Sequence, residues 1–238
     1  MLSDGCTVGE WKMRILAVDT TTSYSSVALL DDRHLLAEID VESGLTHSAR
    51  LLRTVDFLLK NNGLKIQDID GFAVASGPGS FTGIRIGLST VKAFAFASKR
   101  PVASISTLTA LALKLRETPG RLFCPLIDAK KGEVYAALFE RKTGDLREVI
   151  PPGAYGPDAF LSLLPAHRVI HFIGNGVDLY RDKIFAYLKD NARLSLRSLF
   201  VGFEVGLLGY DMLKRGKGLS GEALVPLYYR KSQAEEKK

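Results

Sequence analysis

The sequence predicts an α/β protein built as two lobes, and three observations carry that expectation. Short apolar runs closed by turn residues, at Arg14–Val18, Ser26–Leu30 and Leu35–Val41, read as strands. Segments with apolar residues at helical spacing follow, so strands and helices share each half. The third observation is a recurrence. A strand ending at Asp19 and a strand ending at Asp128 stand 128 − 19 = 109 residues apart, and each leads through a short turn into an Ala-containing return strand. The recurrence is one of layout rather than of letters, and two unrelated hairpins remain the alternative.

Taken in order, the first twelve residues, MLSDGCTVGEWK, hold Asp4 and Glu10 and no apolar stretch. They read as a poorly ordered extension of little structural weight, not as a secretory signal. Met13-Arg14 opens the first strand. Thr20-Thr21-Thr22-Ser23 and Asp31-Asp32 are then the turns of a three-stranded antiparallel meander. A helix starts near Thr46, whose hydroxyl suits an N-cap. Leu51, Leu52, Val55, Leu58 and Leu59 keep its period, and Asn61-Asn62-Gly63 stops it. Ile69–Ser76 is the next strand and ends in a Gly-Pro-Gly loop. A helix follows from about Phe81 to Ser98, closed by Pro101. The first lobe is thus expected over residues 13–106.

In the second half, Leu122–Ile127 is a strand, Ala129-Lys130-Lys131-Gly132 the turn, and Glu133–Phe139 the return strand. Pro151–Pro157 reads as a Pro/Gly-rich connecting stretch. A short helix near Ala159–Leu164, a strand at Val169–Ile173 ending in Gly174-Asn175-Gly176, and a helix near Val201–Leu213 complete the pattern. The second lobe is expected over 107–218, with the segment from about 219 to 238 able to return to the first. Two lobes, each a mixed sheet flanked by helices and opened by a hairpin with an Asp at its turn, form the layout of the actin/Hsp70/sugar-kinase-like (ASKHA) fold. That analogy carries no function by itself.

With 46% hydrophobic and 24% charged residues the chain is neither disordered nor collagen-like. Its 238 residues can bury roughly 70% of the unfolded surface. The net charge, 32 − 26 = +6, is a weak pointer to an acidic partner. Cys6 and Cys124 support neither a disulfide framework nor a metal knuckle, so a reducing compartment, the cytoplasm, is expected. No apolar run reaches the roughly 18 residues of a membrane helix, and no membrane partner is expected. His47 has Leu51, not histidine, one turn on. His167 and His171 stand roughly 13 Å apart along a strand, too far to share an ion, so no metal site is expected. There is no G-x-S-x-G elbow, and neither cysteine has a basic neighbour in sequence. No catalytic residue is assigned, and the chain is not expected to be an enzyme on its own.

Two features point to binding. Gly77-Pro78-Gly79-Ser80-Phe81-Thr82-Gly83-Ile84-Arg85 runs from a strand into a helix, which gathers backbone N–H groups as an anion site does. Its G-x-G-x-x-x-G spacing is neither a Walker loop nor a dinucleotide fingerprint, and a ligand-free tight turn explains it equally well. The candidate nucleotide or anion residues are Asp19, Thr20, Gly77, Gly79, Ser80, Gly83 and Arg85. A turn that hugs a phosphate favours glycine two positions after the Asp, where this chain has Thr21 and Lys130. Asp128 therefore reads as capping its own turn. A stand-alone ATP-dependent phosphotransferase or hydrolase stays open as a second reading.

The other feature is the helix at 81–98. Ile84, Ile86, Leu88, Val91, Phe94 and Phe96 go all round it, with Gly83, Gly87, Ser89, Ala93 and Ala97 between them. A helix apolar on every side needs cover on every side. Either its own lobe encloses it, or a second protein does so together with the helix at 46–60, whose Phe57 lies off the main stripe. The subunit interface is the preferred reading. A bulky residue at Gly87 or Ala93 is expected to abolish pairing and leave the fold intact. Lys214-Arg215-Gly216-Lys217 and Arg230-Lys231 read as solvated surface rather than a nucleic-acid platform.

The stretches ILAVDTTTSYSSVAL, HSARLL, SGPGSFTGIRIGLSTVKAFA, STLTALA, IDAKKGEVYAALF and PLYYRKS, in this order from Met13 to about Ser232, resemble the TsaB (YeaZ) family. The match is loosest over Gly144–Leu219. The resemblance implies a subunit of the bacterial machinery that forms N6-threonylcarbamoyladenosine beside the tRNA anticodon. In that family a paralogue, TsaD, holds a metal and transfers the threonylcarbamoyl group, chains like this one are required non-catalytic partners, and the ATPase TsaE joins them. Leu51, where the catalytic paralogue has its second histidine, agrees with this division of labour. The resemblance further implies pairing through the first two helices, with TsaD or, in its absence, with a second copy. On the matching blocks the partner-binding residues are His47, Arg50, Leu51, Thr54, Leu58, Ile84, Gly87, Leu88, Val91 and Phe94. tRNA is then met indirectly. No cofactor is held tightly, and ATP or ADP with Mg²⁺ binds weakly or at a shared interface. A metallopeptidase, a label attached to relatives of this group, is disfavoured by the absent ligand pair.

Overall fold

Two five-stranded sheets with one strand order between them form the frame. In the computed structural model, residues 12–42, 47–142 and 145–230 are described, the side chains of residues 47–49 excepted. The expected extension up to Trp11, Cys6, the N-cap at Thr46, the side chain of His47 and the tail from Lys231 lie outside the described residues. The first sheet comprises β1 (Arg14–Asp19), β2 (Tyr24–Asp31), β3 (His34–Glu42), β4 (Gly71–Gly77) and β5 (Val102–Ser106), in the order β3-β2-β1-β4-β5. The second comprises β6 (Leu122–Lys130), β7 (Glu133–Lys142), β8 (Asp145–Tyr155), β9 (Ile170–Ile173) and β10 (Ala192–Leu194), in the order β10-β9-β6-β7-β8. In each, the first three strands form an antiparallel meander and the last two run parallel to the first. The recurrence seen at Asp19 and Asp128 is therefore a repeat of topology.

Strand alternation sorts the cores. Along β1, Leu16 and Val18 face one side with Val27, Phe72 and Val74. The helices α1 (His47–Asn61) and α2 (Phe81–Ser98) cover that side through Leu51, Val55, Leu58, Ile84, Leu88 and Val91. Ile15 and Ala17 face the other way, into a layer shared with Phe123, Tyr135 and Phe139 of the second sheet. Two helices fill that layer, α3 (Thr107–Lys114) and α7 (Gly202–Lys214). The outer face of the second sheet is covered by α4 (Pro157–Leu163), α5 (Gly176–Leu179) and α6 (Arg181–Leu188) through Phe160, Val177 and Ile184. β4 is buried along its whole length, as a strand covered on both faces must be.

Three sequence expectations change. The sequence places the helix near Val201–Leu213 in the second lobe, but α7 packs on β1, β2, β4 and β5 of the first sheet. The return to the first lobe therefore begins near residue 201 rather than 219. It continues through Leu219, whose backbone pairs with Val102, and Leu224, which is buried beneath α2. Helical periodicity shows that a face is apolar but not which sheet covers it. The Pro/Gly-rich stretch 151–157 is no connector as far as Tyr155, but the end of edge strand β8. An edge tolerates Pro151 and Pro152 because half of its N–H groups have no ladder partner. Finally the structure adds β5, α3, α5, α6 and β10, which the sequence pattern does not reveal; all are eight residues or fewer, too short for a clear period.

Candidate functional site

The turn between β1 and β2 and the loop that opens α2 lock together. Asp19 ends β1 with its Oδ1 accepting hydrogen bonds from Thr21 N at 2.8 Å and Thr21 Oγ1 at 2.7 Å. Thr20 Oγ1 donates to Gly83 O at 2.7 Å, and Ser80 N donates to Thr21 O at 2.6 Å. Thr107 Oγ1 at the start of α3 donates to Thr21 Oγ1 at 3.1 Å. This closeness explains two of the glycines. A Cβ at Gly83 would stand 1.9 Å from Thr20 O, and one at Gly79 would stand 2.2 Å from Thr21 O. Ser80 caps α2 by accepting from Gly83 N, and Gly77 packs against the returning chain at Leu227. The Cβ sides of Gly79 and Gly83 are thus taken by the chain's own backbone, while Gly79 and Ser80 also line an open cleft.

Asp19 is 1% exposed, and its Oδ2 is buried without a hydrogen-bond partner among the described residues. Burial pushes its carboxyl up to about 6, against the lowering effect of the two Thr21 hydrogen bonds. Between the lobes lies a cleft of about 420 Å³, with Thr22, Ser80 and Phe81 on one wall and Asp128, Lys130 and Asn175 on the other. Asp128 is committed locally. Its Oδ1 accepts from Lys130 N at 2.8 Å, its Oδ2 pairs with Lys130 Nζ at 2.6 Å, and its N–H donates to Asn175 Oδ1 at 3.1 Å. At the rim, Phe81 and Tyr228 have ring centroids 4.7 Å apart, and the exposed Arg85 donates from Nε to Tyr228 OH at 3.0 Å. A nucleotide phosphate with Mg²⁺, which this type of fold implies, does not fit these turns. One aspartate is sealed, the other is paired with its own lysine, and no glycine follows either at the second position. Among the described residues no group of three or more His, Cys, Asp or Glu gathers as metal ligands would.

The α1–α2 face sorts the expected partner-binding residues into two sets. Leu51, Leu58, Ile84, Gly87, Leu88 and Val91 are buried in the lobe's own core. A side chain already covered by its own sheet cannot cover a partner, so these six are corrected to core residues. Phe94 is half-buried and stacks on Phe72 with centroids 6.0 Å apart; Thr54 is half-buried and Arg50 exposed. The apolar side chains that do face outward are Leu52 (53% exposed), Phe57 (61%) and Phe96 (80%). Ser89, Ala93 and Ala97 lie exposed on α2 beside Phe96. The signal for Phe57 and Phe96 was present, since both fall off the stripe that meets the sheet. The six core residues came from the resemblance, whose matching blocks run along the side of each helix that meets the sheet. Gly87 is likewise no pure probe of pairing, because a Cβ there would stand 2.6 Å from Thr20 Oγ1 and unseat the turn. Ala93 remains one.

Comparison with known proteins places this geometry. A family model described as TsaD, tRNA N6-adenosine threonylcarbamoyltransferase, matches residues 42–203. The tRNA threonylcarbamoyladenosine biosynthesis protein TsaB of Bacillus subtilis is 32% identical over 235 residues, covering 94% of this chain and 97% of that one. TsaB of Escherichia coli is 38% identical over 130 residues, covering 54% of this chain and 56% of its own. The structure of YeaZ from Pseudomonas aeruginosa superposes with a TM-score of 0.80 at 30% identity, covering 91% of this chain and 99% of that one. A ROK hexokinase from Thermus thermophilus, with a TM-score of 0.50 at 13% identity over 84% of this chain, shares the fold alone. Two mixed sheets in one order, flanked by helices, are thus the ASKHA fold expected from the sequence, and the chain belongs to the TsaB (YeaZ) family.

Proposed function

We propose that this chain is a non-catalytic partner subunit in the formation of N6-threonylcarbamoyladenosine on tRNA, pairing with the catalytic paralogue TsaD and joined by the ATPase TsaE. The observation that carries the reading is the outward apolar set Leu52, Phe57 and Phe96 on two adjacent helices, beside small exposed residues that permit close approach. The sealed Asp19 and self-paired Asp128 agree with a chain that lends a surface rather than a reaction centre. Without TsaD the same surface pairs two copies of this chain. Any ATP or ADP with Mg²⁺ sits weakly, at the shared surface. The assembly works in the cytoplasm; among the described residues no helix is long and apolar enough to cross a membrane.

The test is a pair of exposed substitutions, Leu52→Asp and Phe96→Asp. Both side chains are open to water in the lone chain, so its melting temperature is expected to hold. Co-elution with TsaD is expected to weaken by at least about tenfold, as truncating interface anchors does. Modification of tRNA by the reconstituted mixture falls with it. A variant that co-purifies with TsaD as well as the unaltered chain overturns the proposal.

A further inference from the structure

Beyond the carboxyl ends of the parallel strands β9 and β10, at the outer edge of the second sheet, a groove of about 480 Å³ opens. Crevices at the carboxyl ends of parallel strands are where open α/β sheets bind ligands, because the loops diverge there. Three arginines line the groove: Arg181 from α6, Arg193 from β10 and Arg197 from the segment after it. All three are exposed, and none is in an ion pair among the described residues; Asp178 is the single acid lining the groove with them. Two are held in place by uncharged groups. Arg193 Nη1 donates to Asp190 O at 2.6 Å and Ala192 O at 2.9 Å, and the Arg181 guanidinium lies 5.7 Å from the Phe185 ring centroid. Arg193 stands beside His171 in the β9–β10 register, and its charge adds to burial in holding that imidazole below its usual range. Phe185 is partly exposed and Leu196 fully so, which adds apolar surface beside the cations.

We propose that this groove binds the phosphate backbone of structured RNA, which under the function proposed above is the substrate tRNA; the inference rests on that reading. It adds a direct contact to one expected from the sequence to be indirect. A guanidinium presents a planar fork of donors matching phosphate oxygens, and arginines already anchored by carbonyls or a ring lose little freedom on binding. A phosphodiester chain supplies one charge per residue at regular spacing, which three cations in one groove meet without any side-chain code. Phe185 and Leu196 offer a surface on which a ribose or base can rest. An acidic protein segment is the competing occupant, and the test separates the two.

The experiment uses the reconstituted assembly, an unmodified tRNA transcript, and the triple variant Arg181→Ala/Arg193→Ala/Arg197→Ala. tRNA affinity is measured across a salt series, with TsaD pairing measured in parallel. Losing three phosphate contacts is expected to flatten the slope of log affinity against log salt by about 2 to 3. Affinity at low salt falls about tenfold or more, while pairing with TsaD is unchanged. Lysine at the three positions is expected to restore the slope, since it keeps the charge. Unchanged tRNA affinity and slope overturn the inference, as does a slope that lysine fails to restore. Lost pairing with TsaD or TsaE and intact tRNA binding assign the groove to a protein and overturn it too. If omitting the unaltered chain leaves tRNA modification intact, the function proposed above fails, an outcome distinct from failure of the groove.

Discussion

The two lobes share a strand order and part company beyond the carboxyl ends of their parallel strands. In the first lobe the connection after β4 is the 18-residue α2, and its opening loop packs against Thr20, Thr21 and Leu227 on one side and lines the cleft between the lobes with Gly79 and Ser80 on the other. In the second the corresponding connection is broken into α5, of four residues, and α6, of eight, and the end of β10 is left open with three exposed arginines around it. A repeated topology therefore does not repeat a site. The length of the crossover helix and the residues of the facing turn decide what lines the crevice: hydroxyls and an aromatic ring in the first lobe, arginines in the second.

The comparison is tested most severely at Gly83. A Cβ there meets a backbone carbonyl oxygen at 1.9 Å, which has no rotamer by which to move aside. Gly83→Val is expected to cost about 3 kcal/mol or more, at the severe end for single substitutions. For a chain of this size that lowers the melting temperature by roughly 6–12 °C in calorimetry. A drop of only a degree or two would mean that the first crevice is loosely filled, and the contrast between the lobes would dissolve.

A smaller effect is expected at Asp19. Its folded carboxyl is raised from 3.8 to about 6, so the native chain holds this proton more tightly than the unfolded chain does. Stability from this group is present below pH 4 and lost as pH rises to about 6, a loss of up to about 3 kcal/mol. Glu38, raised by burial and by the neighbouring Asp40, adds a loss of the same sign. Asp19→Asn can still accept from Thr21 and carries no charge. It is expected to raise stability at pH 7 by about 1–3 kcal/mol and flatten this part of the pH profile in urea unfolding. A variant less stable at pH 7 would show that the ionised carboxylate is needed.

The mildest effect belongs to the second lobe's own turn. Gly132 has φ +76, but nothing among the described residues lies within 4 Å of a Cβ placed there. Gly132→Ala carries only the left-handed backbone cost, about 1 kcal/mol. Thermal melts of Gly132→Ala and Gly83→Val side by side separate conformational from steric glycines. Equal losses would erase that distinction.

Much of the frame was legible because it is local. The β1–β3 meander, α1, α2 and the β6–β7 hairpin each announce themselves within one window, by strand alternation, by helical period, or by turn residues at Asp31-Asp32 and Lys131-Gly132. The Asp19–Asp128 recurrence revealed the doubled topology because a strand, a carboxylate and a turn are local too. The short elements β5, α3, α5, α6 and β10 carried no period to read.

The sequence by itself determined the longer strands and helices of each half, that the chain has two lobes of one plan, and which family it resembles. Only the tertiary structure decided which side of α1 and α2 faces water, which sheet α7 covers, and that the glycine-rich loop is filled by Thr20 and Thr21. The reason is physical. Periodicity records that a face is apolar, whereas burial, close approach and the solvation of a charge depend on what the rest of the chain brings against that face.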